Sequence, residues 1–261
     1  MTGLALEGGG ARGAYHIGVY KALHEKGFKF DGFVGTSIGA INAAMLVQGD
    51  YDKLVELWQN ISMEKILEKD WHYIIELVEN YNKKPNRELL KNVIKVTRKL
   101  LKEHGVSTGK IKQMLLEYID EEKIRNSGKD FGLVTISITD RKPYELMLDD
   151  IPKGKLHDYI MASACLPGFR PERIDGKIFI DGALYNNCPF NLLYDKNYDE
   201  IIVVRTYARG IVRKIRDSQK IKLISPKSDL GAIMFFEKAR ITENFKLGYN
   251  DGLQFVQSFG K

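Results

Sequence analysis

An α/β fold, with a mostly parallel sheet covered by helices on both faces, is predicted by three features of the 261-residue sequence. Twice within the first fifty residues a short apolar run ends in a glycine-rich turn and passes into a helical pattern, at residues 3–13 and again at 30–48. Such strand–helix–strand–helix units place their strands in parallel, because a parallel neighbour is reached only through a crossover connection. The later runs 131–139 and 201–204 are apolar and β-branched, as strands covered on both faces are.

Residues 3–7 read as the first buried strand. A helix follows over about 15–26, with Ile17, Tyr20, Ala22 and Leu23 as packing positions and Gly27 as its stop. The second strand covers 30–34, and a helix of small residues runs from Ser37 to about Gln48. From 51 to 125 apolar residues recur at helical spacing, as in Leu54, Leu57 and Trp58 or Ile111, Met114, Leu115 and Tyr118, with no strand pattern. This segment is expected to be a helical insertion or cap, its apolar stripes facing the core, within one domain spanning 1–261. The sheet resumes at 131–139, with 144–148 pairing beside it and a helix over 156–164. Residues 170–174 and 177–180 flank Asp175-Gly176, the signature of a hairpin with a tight turn. Strands at 201–204 and 222–225 follow, and helices are expected to fill the remainder, from about Leu230 to Phe259.

With 44% hydrophobic residues the chain can bury a sizeable core and does not read as disordered. Its N-terminus lacks a basic start and a long apolar run, so no signal peptide is expected. Nowhere do apolar residues persist for the roughly 18 needed to span a bilayer. Two cysteines, Cys165 and Cys188, lie outside any metal-ligand spacing and fit a reduced, cytoplasmic setting. The net charge of +6 is modest, and the basic stretch at 209–216 can touch anionic lipid headgroups or phosphates at a membrane surface, although an exposed loop or helix edge is the stronger reading of it. No nucleic-acid motif is present, and neither a metal nor a cofactor is expected.

Gly35-Thr36-Ser37-Ile38-Gly39 has the form of a nucleophile elbow, in which a sharp strand-to-helix turn lifts one hydroxyl out of the sheet. The same five residues also describe a serine that caps a helix. A serine nucleophile needs a base. Of the five histidines, His16, His24, His72, His104 and His157, none falls in the last hundred residues, where the order serine, acid, histidine would put one, and His157 is the strongest of them. Asp181, directly after an apolar strand, is the carboxylate candidate, while Asp181-Gly182 taken alone is an ordinary turn dipeptide. Gly8-Gly9-Gly10 can form a nest of backbone amides for an anion, with the charge of Arg12 nearby. Gly8, Gly10 and Gly13 also satisfy the dinucleotide fingerprint, so a nucleotide-binding protein is the alternative. That reading lacks an acid at the end of the second strand, since Asp31 precedes the strand.

Together, Gly8-Gly9-Gly10-Ala11-Arg12-Gly13, Gly35-Thr36-Ser37-Ile38-Gly39, Ala162-Ser163-Ala164-Cys165-Leu166-Pro167-Gly168-Phe169 and Asp181-Gly182-Ala183 resemble the motif blocks of the patatin-like phospholipase family, in order and rough spacing, across about residues 3–190. One departure is Ala183, where many members carry a second glycine. The resemblance implies a three-layer α/β/α sandwich and a serine–aspartate dyad, with Ser37 as nucleophile and Asp181 as its base. It implies an oxyanion hole lined by Gly8, Gly9, Gly10 and Arg12, and hydrolysis of acyl esters of phospholipids, lysophospholipids or other lipids without a metal. The block at 162–169 is expected to shape the substrate pocket or the sheet edge and is given no chemical step. A non-catalytic lipid-binding protein on the same fold is the third reading, against which the intact Ser37 and Asp181 argue.

Overall fold

The computed structural model describes residues 1–67, 106–214 and 219–259. Its sheet has eight strands: β1 (Thr2–Leu6), β2 (Gly32–Gly35), β3 (Asp130–Ser137), β4 (Lys142–Met147), β5 (Glu172–Ile174), β6 (Lys177–Asp181), β7 (Glu200–Val204) and β8 (Ile221–Ile224). Five of them, in the order β3-β2-β1-β7-β8, form a parallel core. Strands β4 and β6 join β3 antiparallel, and β5 pairs with β6. The β5–β6 hairpin turns through Asp175 and Gly176, both at positive φ (47° and 78°), the geometry that the Asp-Gly pair predicts.

Alternation along the strands sends side chains into two cores. Leu4 and Leu6 of β1, Phe33 of β2, Phe131 and Leu133 of β3, and Ile202 and Val204 of β7 enter the larger one. Their neighbours Ala5, Val34, Val134, Ile201 and Val203 enter the second, on the opposite face. Helices α1 (Ala14–Glu25) and α2 (Ile38–Val47) contribute to the larger core, while Leu192 and Leu193 of the short helix at Asn191–Asp195 contribute to the second. The molecule is therefore a three-layer α/β/α structure with a mixed sheet.

Within the stretch read as a helical insertion, the described residues form α3 (Tyr51–Asn60), α4 (Met63–Ile66), α5 (Gly109–Tyr118) and α6 (Glu121–Arg125). Leu54, Leu57, Trp58, Ile111 and Leu115 all pack into the larger core. The part of that reading between 68 and 105 lies outside the described residues, as do His72 and His104. Helix α7 (Leu156–Ser163) precedes the β5–β6 hairpin, and α8 (Ala183–Asn186) and α9 (Asn191–Asp195) follow it.

The expectation of helix from Leu230 onward is corrected: the last helix, α10, begins at Lys238 and runs to Phe259. Gly231 takes a positive φ of 80°, and the carbonyls of Gly231 and Ile233 accept Arg12 Nε and the Ala11 amide rather than intrahelical donors. Residues 230–237 thus serve the glycine loop near the N-terminus.

Candidate active site

Three strand ends build the site, each at the carboxyl edge of the sheet, where open α/β sheets place their ligand sites. β1 leads into the glycine loop, β2 leads into Ser37, and β6 ends at Asp181. The pairing of β3 brings the last two together. β2 runs parallel to β3 and stops at Gly35 opposite Leu133, whereas β6 runs antiparallel and stops at Asp181 opposite Thr135. Since β4 occupies the other edge of β3, β2 and β6 share one edge and meet end to end. Two residues of register, or about 6–7 Å along a strand, separate their ends.

Ser37 stands at φ 58°, ψ −128°, a backbone region that costs a residue with a Cβ roughly 1–3 kcal/mol. The turn is made possible by its glycines. A Cβ on Gly35 would lie 2.2 Å from the Gly39 carbonyl, so strand and helix approach as closely as backbones allow. The Ser37 side chain makes no cap bond to α2, which removes the plain helix-cap reading. Its own amide donates to Ser163 Oγ at 3.0 Å.

Asp181 is 1% exposed. Its amide donates to the Cys165 carbonyl at 2.9 Å, and its Oδ1 accepts the Ala183 amide at 2.8 Å. Desolvation pushes the carboxyl up to about 7, against the lowering effects of the Ala183 amide and the Ser37 hydroxyl. The hydroxyl is near enough to act on the carboxyl, yet no hydrogen bond between the two is formed: Oδ2 is buried without a partner. The two side chains are close but unengaged.

In the glycine loop the Gly8 amide donates to the Asn187 carbonyl at 2.9 Å. Among the described residues the amides of Gly9 and Gly10, and that of Ile38 at the start of α2, donate to no protein acceptor. The guanidinium of Arg12 is engaged by three carbonyls, those of Gly231 (2.8 Å), Thr206 (3.0 Å) and Tyr207 (2.9 Å). It acts as a clamp beside the loop, and the amides are the uncommitted donors.

Ser37 and Gly10 open onto a cleft of about 60 Å³ whose other walls are apolar. Ile41 of α2, Ile61 and Ile66 around α4, Ile111 and Met114 of α5, Leu166 and Phe169, and Met234 and Phe236 supply them. Ala164, Leu166 and Phe169 of the 162–169 block thus line this cleft. Among the described residues, no histidine lines this cleft. His157 bonds the Ile119 carbonyl through Nε2, and His16 is fully buried against Asn42, with desolvation lowering its pKa to about 3. The nucleotide alternative finds no acid at the end of β2, and the Asp31 carboxylate accepts the Thr2 amide at the far end of that strand.

A family profile described as Patatin-like phospholipase matches residues 4–194. The chain belongs to this family. Patatin-like phospholipase domain-containing protein 6 of Homo sapiens is 27% identical over 205 residues, which cover 77% of this chain and 13% of the human protein. An NTE family protein of Mycobacterium bovis is 26% identical over 211 residues, covering 77% of this chain and 48% of its own length. The chain therefore matches about half or less of the length of these relatives. VipD from Legionella pneumophila shares the fold, with a TM-score of 0.60 at 16% identity over 98% of this chain and 67% of its own.

Several residues around this patatin-like site escaped the sequence reading. Glu7, fully buried, pairs with Arg205 and accepts the amides of Thr206 (2.6 Å) and Tyr207 (3.0 Å), while Thr206 Oγ1 donates to the Gly8 carbonyl at 2.6 Å. The Asn186 carbonyl accepts Thr36 Oγ1 at 2.8 Å, so one segment after Asp181 ties together the elbow and the glycine loop. A charged residue closing an otherwise apolar strand, as Glu7 does, was the available signal. Ser163 had none beyond its place in a quoted block.

Proposed function

We propose that this chain is a serine lipid acyl hydrolase, of phospholipase A, lysophospholipase or related carboxylic ester hydrolase type, working through Ser37 and Asp181. The reading rests on one observation: the ends of β2 and β6 converge on β3, and Ser37 opens onto an apolar cleft beside amides that, among the described residues, donate to no protein acceptor. Membership of the patatin-like phospholipase family supports a lipid substrate.

Ser37 Oγ attacks the acyl carbonyl carbon as its proton passes to Asp181. A carboxylate can serve as base here because burial brings its pKa near neutrality, where proton transfer from a hydroxyl is least mismatched. The developing oxyanion is met by the amides of Gly9 and Gly10, within the cradle that Gly8 and Arg12 hold in shape. Preorganised donors of this kind are worth about 3–4 kcal/mol each. The leaving alcohol takes the proton from Asp181, giving the acyl-enzyme. Water then yields its proton to Asp181, attacks the acyl carbon and releases the fatty acid, restoring the Ser37 hydroxyl. The apolar cleft accepts the acyl chain.

A fluorophosphonate probe tests the assignment. The parent protein is expected to label and Ser37→Ala to remain unlabelled. Labelling that persists in Ser37→Ala removes Ser37 from the chemistry, and a parent that neither labels nor hydrolyses acyl esters leaves a non-catalytic lipid-binding protein.

A further inference from the structure

Ser163, the last residue of α7, is fully buried, and its Oγ accepts the amide of Ser37 at 3.0 Å. Two residues later the Cys165 carbonyl accepts the amide of Asp181 at 2.9 Å. One three-residue strap therefore binds the backbones of both the hydroxyl-bearing and the carboxyl-bearing residue, which lie 144 positions apart in the sequence (181 − 37). The same strap continues into Leu166 and Phe169, which wall the cleft.

Of the two anchors, the Cys165 carbonyl belongs to any residue placed there, whereas the Ser163 acceptor depends on a side chain. Its loss would leave a buried amide unpaired at a peptide already held at φ 58°, the point where the backbone has most to gain by relaxing. This bond also removes the Ser37 amide from the donors open to an oxyanion, leaving that work to the amides of Gly9, Gly10 and Ile38.

We propose that Ser163 is a positioning residue for Ser37: by accepting its amide, the buried hydroxyl holds the strained elbow in register with Asp181. The proposal rests on the hydrolase reading above and adds to it a residue that touches neither substrate nor reacting atoms. A hydroxyl suits this place because it accepts a hydrogen bond without bringing a charge into a buried site.

The test compares Ser163→Ala, which deletes the acceptor, with Ser163→Thr, which keeps it. The measurements are fluorophosphonate labelling rate, kcat and KM for a p-nitrophenyl acyl ester, and the pH profile. Ser163→Ala is expected to lower labelling rate and kcat together by at least tenfold with KM within twofold. Its activity limb should move to higher pH as the Ser37 hydroxyl, whose nearness lowers the Asp181 carboxyl, shifts away from it. Ser163→Thr is expected to recover most of the loss. Should Ser163→Ala fail to fold, Ser163→Cys, which keeps the shape with a weak acceptor, is held to the same thresholds. Labelling and kcat within twofold of parent in the acceptor-deleted variant overturn the proposal, as does equal loss in the alanine and threonine variants. A parent that does not label at all sinks the hydrolase reading itself, and this proposal with it.

Discussion

Burial of Asp181 has opposite consequences for activity and for stability, and both can be measured. In the proposed role of base the carboxyl must be ionised, so kcat/KM is expected to rise along a limb with an apparent pKa of about 7 and to level off above it. A limb near pH 4 would show the carboxyl to be solvated in solution. For stability the sign reverses. The folded value lies above the ordinary 3.8, so between the two the folded chain keeps a proton that the unfolded chain has released. Stability therefore falls as pH rises through that window, by up to about 4 kcal/mol once both states are ionised. Asp181→Asn carries no charge to desolvate. It is expected to lose turnover and yet melt several degrees above the parent at pH 8, with the difference gone near pH 4. Melting curves at the two pH values check this, and a variant no more stable at pH 8 refutes it.

The elements owe their close packing to glycines, with different degrees of legibility. Gly35 and Gly39 announced the elbow because both lie within one local motif. α10 carried no such mark, yet Gly248 and Gly252 form its contact with α1, where Gly18 completes the interface. A Cβ on Gly248 would sit 2.1 Å from the Tyr15 carbonyl, and one on Gly18 would sit 2.0 Å from that of Phe245. Across the same contact Tyr15 Oη donates to Asp251 Oδ2 at 2.9 Å, a buried bond. Gly248→Ala must part the helices, so it is expected to lower stability by about 2–3 kcal/mol. Denaturant titration reads this, and an unchanged midpoint would mean that the helices separate freely. A spacing of four between glycines identifies a close contact only once the facing helix is known, which local sequence does not reveal.

At the scale of the whole molecule, Arg12 joins three distant stretches: the glycine loop, residues 206–207 just after β7, and the 231–236 segment that walls the cleft. A rigid guanidinium fork can bond several carbonyls at once, whereas an ammonium on a flexible stem holds fewer of them in fixed directions. Arg12→Lys keeps the charge and is expected to lower kcat about tenfold while raising KM, since the glycine loop and the 231–236 wall of the cleft loosen together. If Arg12 served only by its charge, the lysine variant would retain parental kinetics. The basic stretch near 209–216 is likewise partly committed within the fold, with Arg213 bonded to Glu145 at 2.6 Å and to the Tyr185 hydroxyl at 3.0 Å. Among the described residues, no helix is long and apolar enough to cross a membrane.

What the sequence determined by itself is what short-range physics governs: the strand–turn–helix units, the elbow glycines, the Asp175-Gly176 hairpin and the helical periodicity of α3 and α5. Each rests on a backbone preference or an apolar spacing within about a dozen residues. Only the tertiary structure decided that β2 and β6 meet end to end on one edge of β3, because that register depends on pairing between distant stretches of the chain, as for Thr135 with Asp181. The same holds for the carbonyls that engage Arg12, for the strap from Ser163 to Cys165, and for the turn of 230–237 away from helix toward the glycine loop. The proton affinity of Asp181 belongs there too, since desolvation is set by everything packed around a carboxyl and by no residue adjacent to it in the chain.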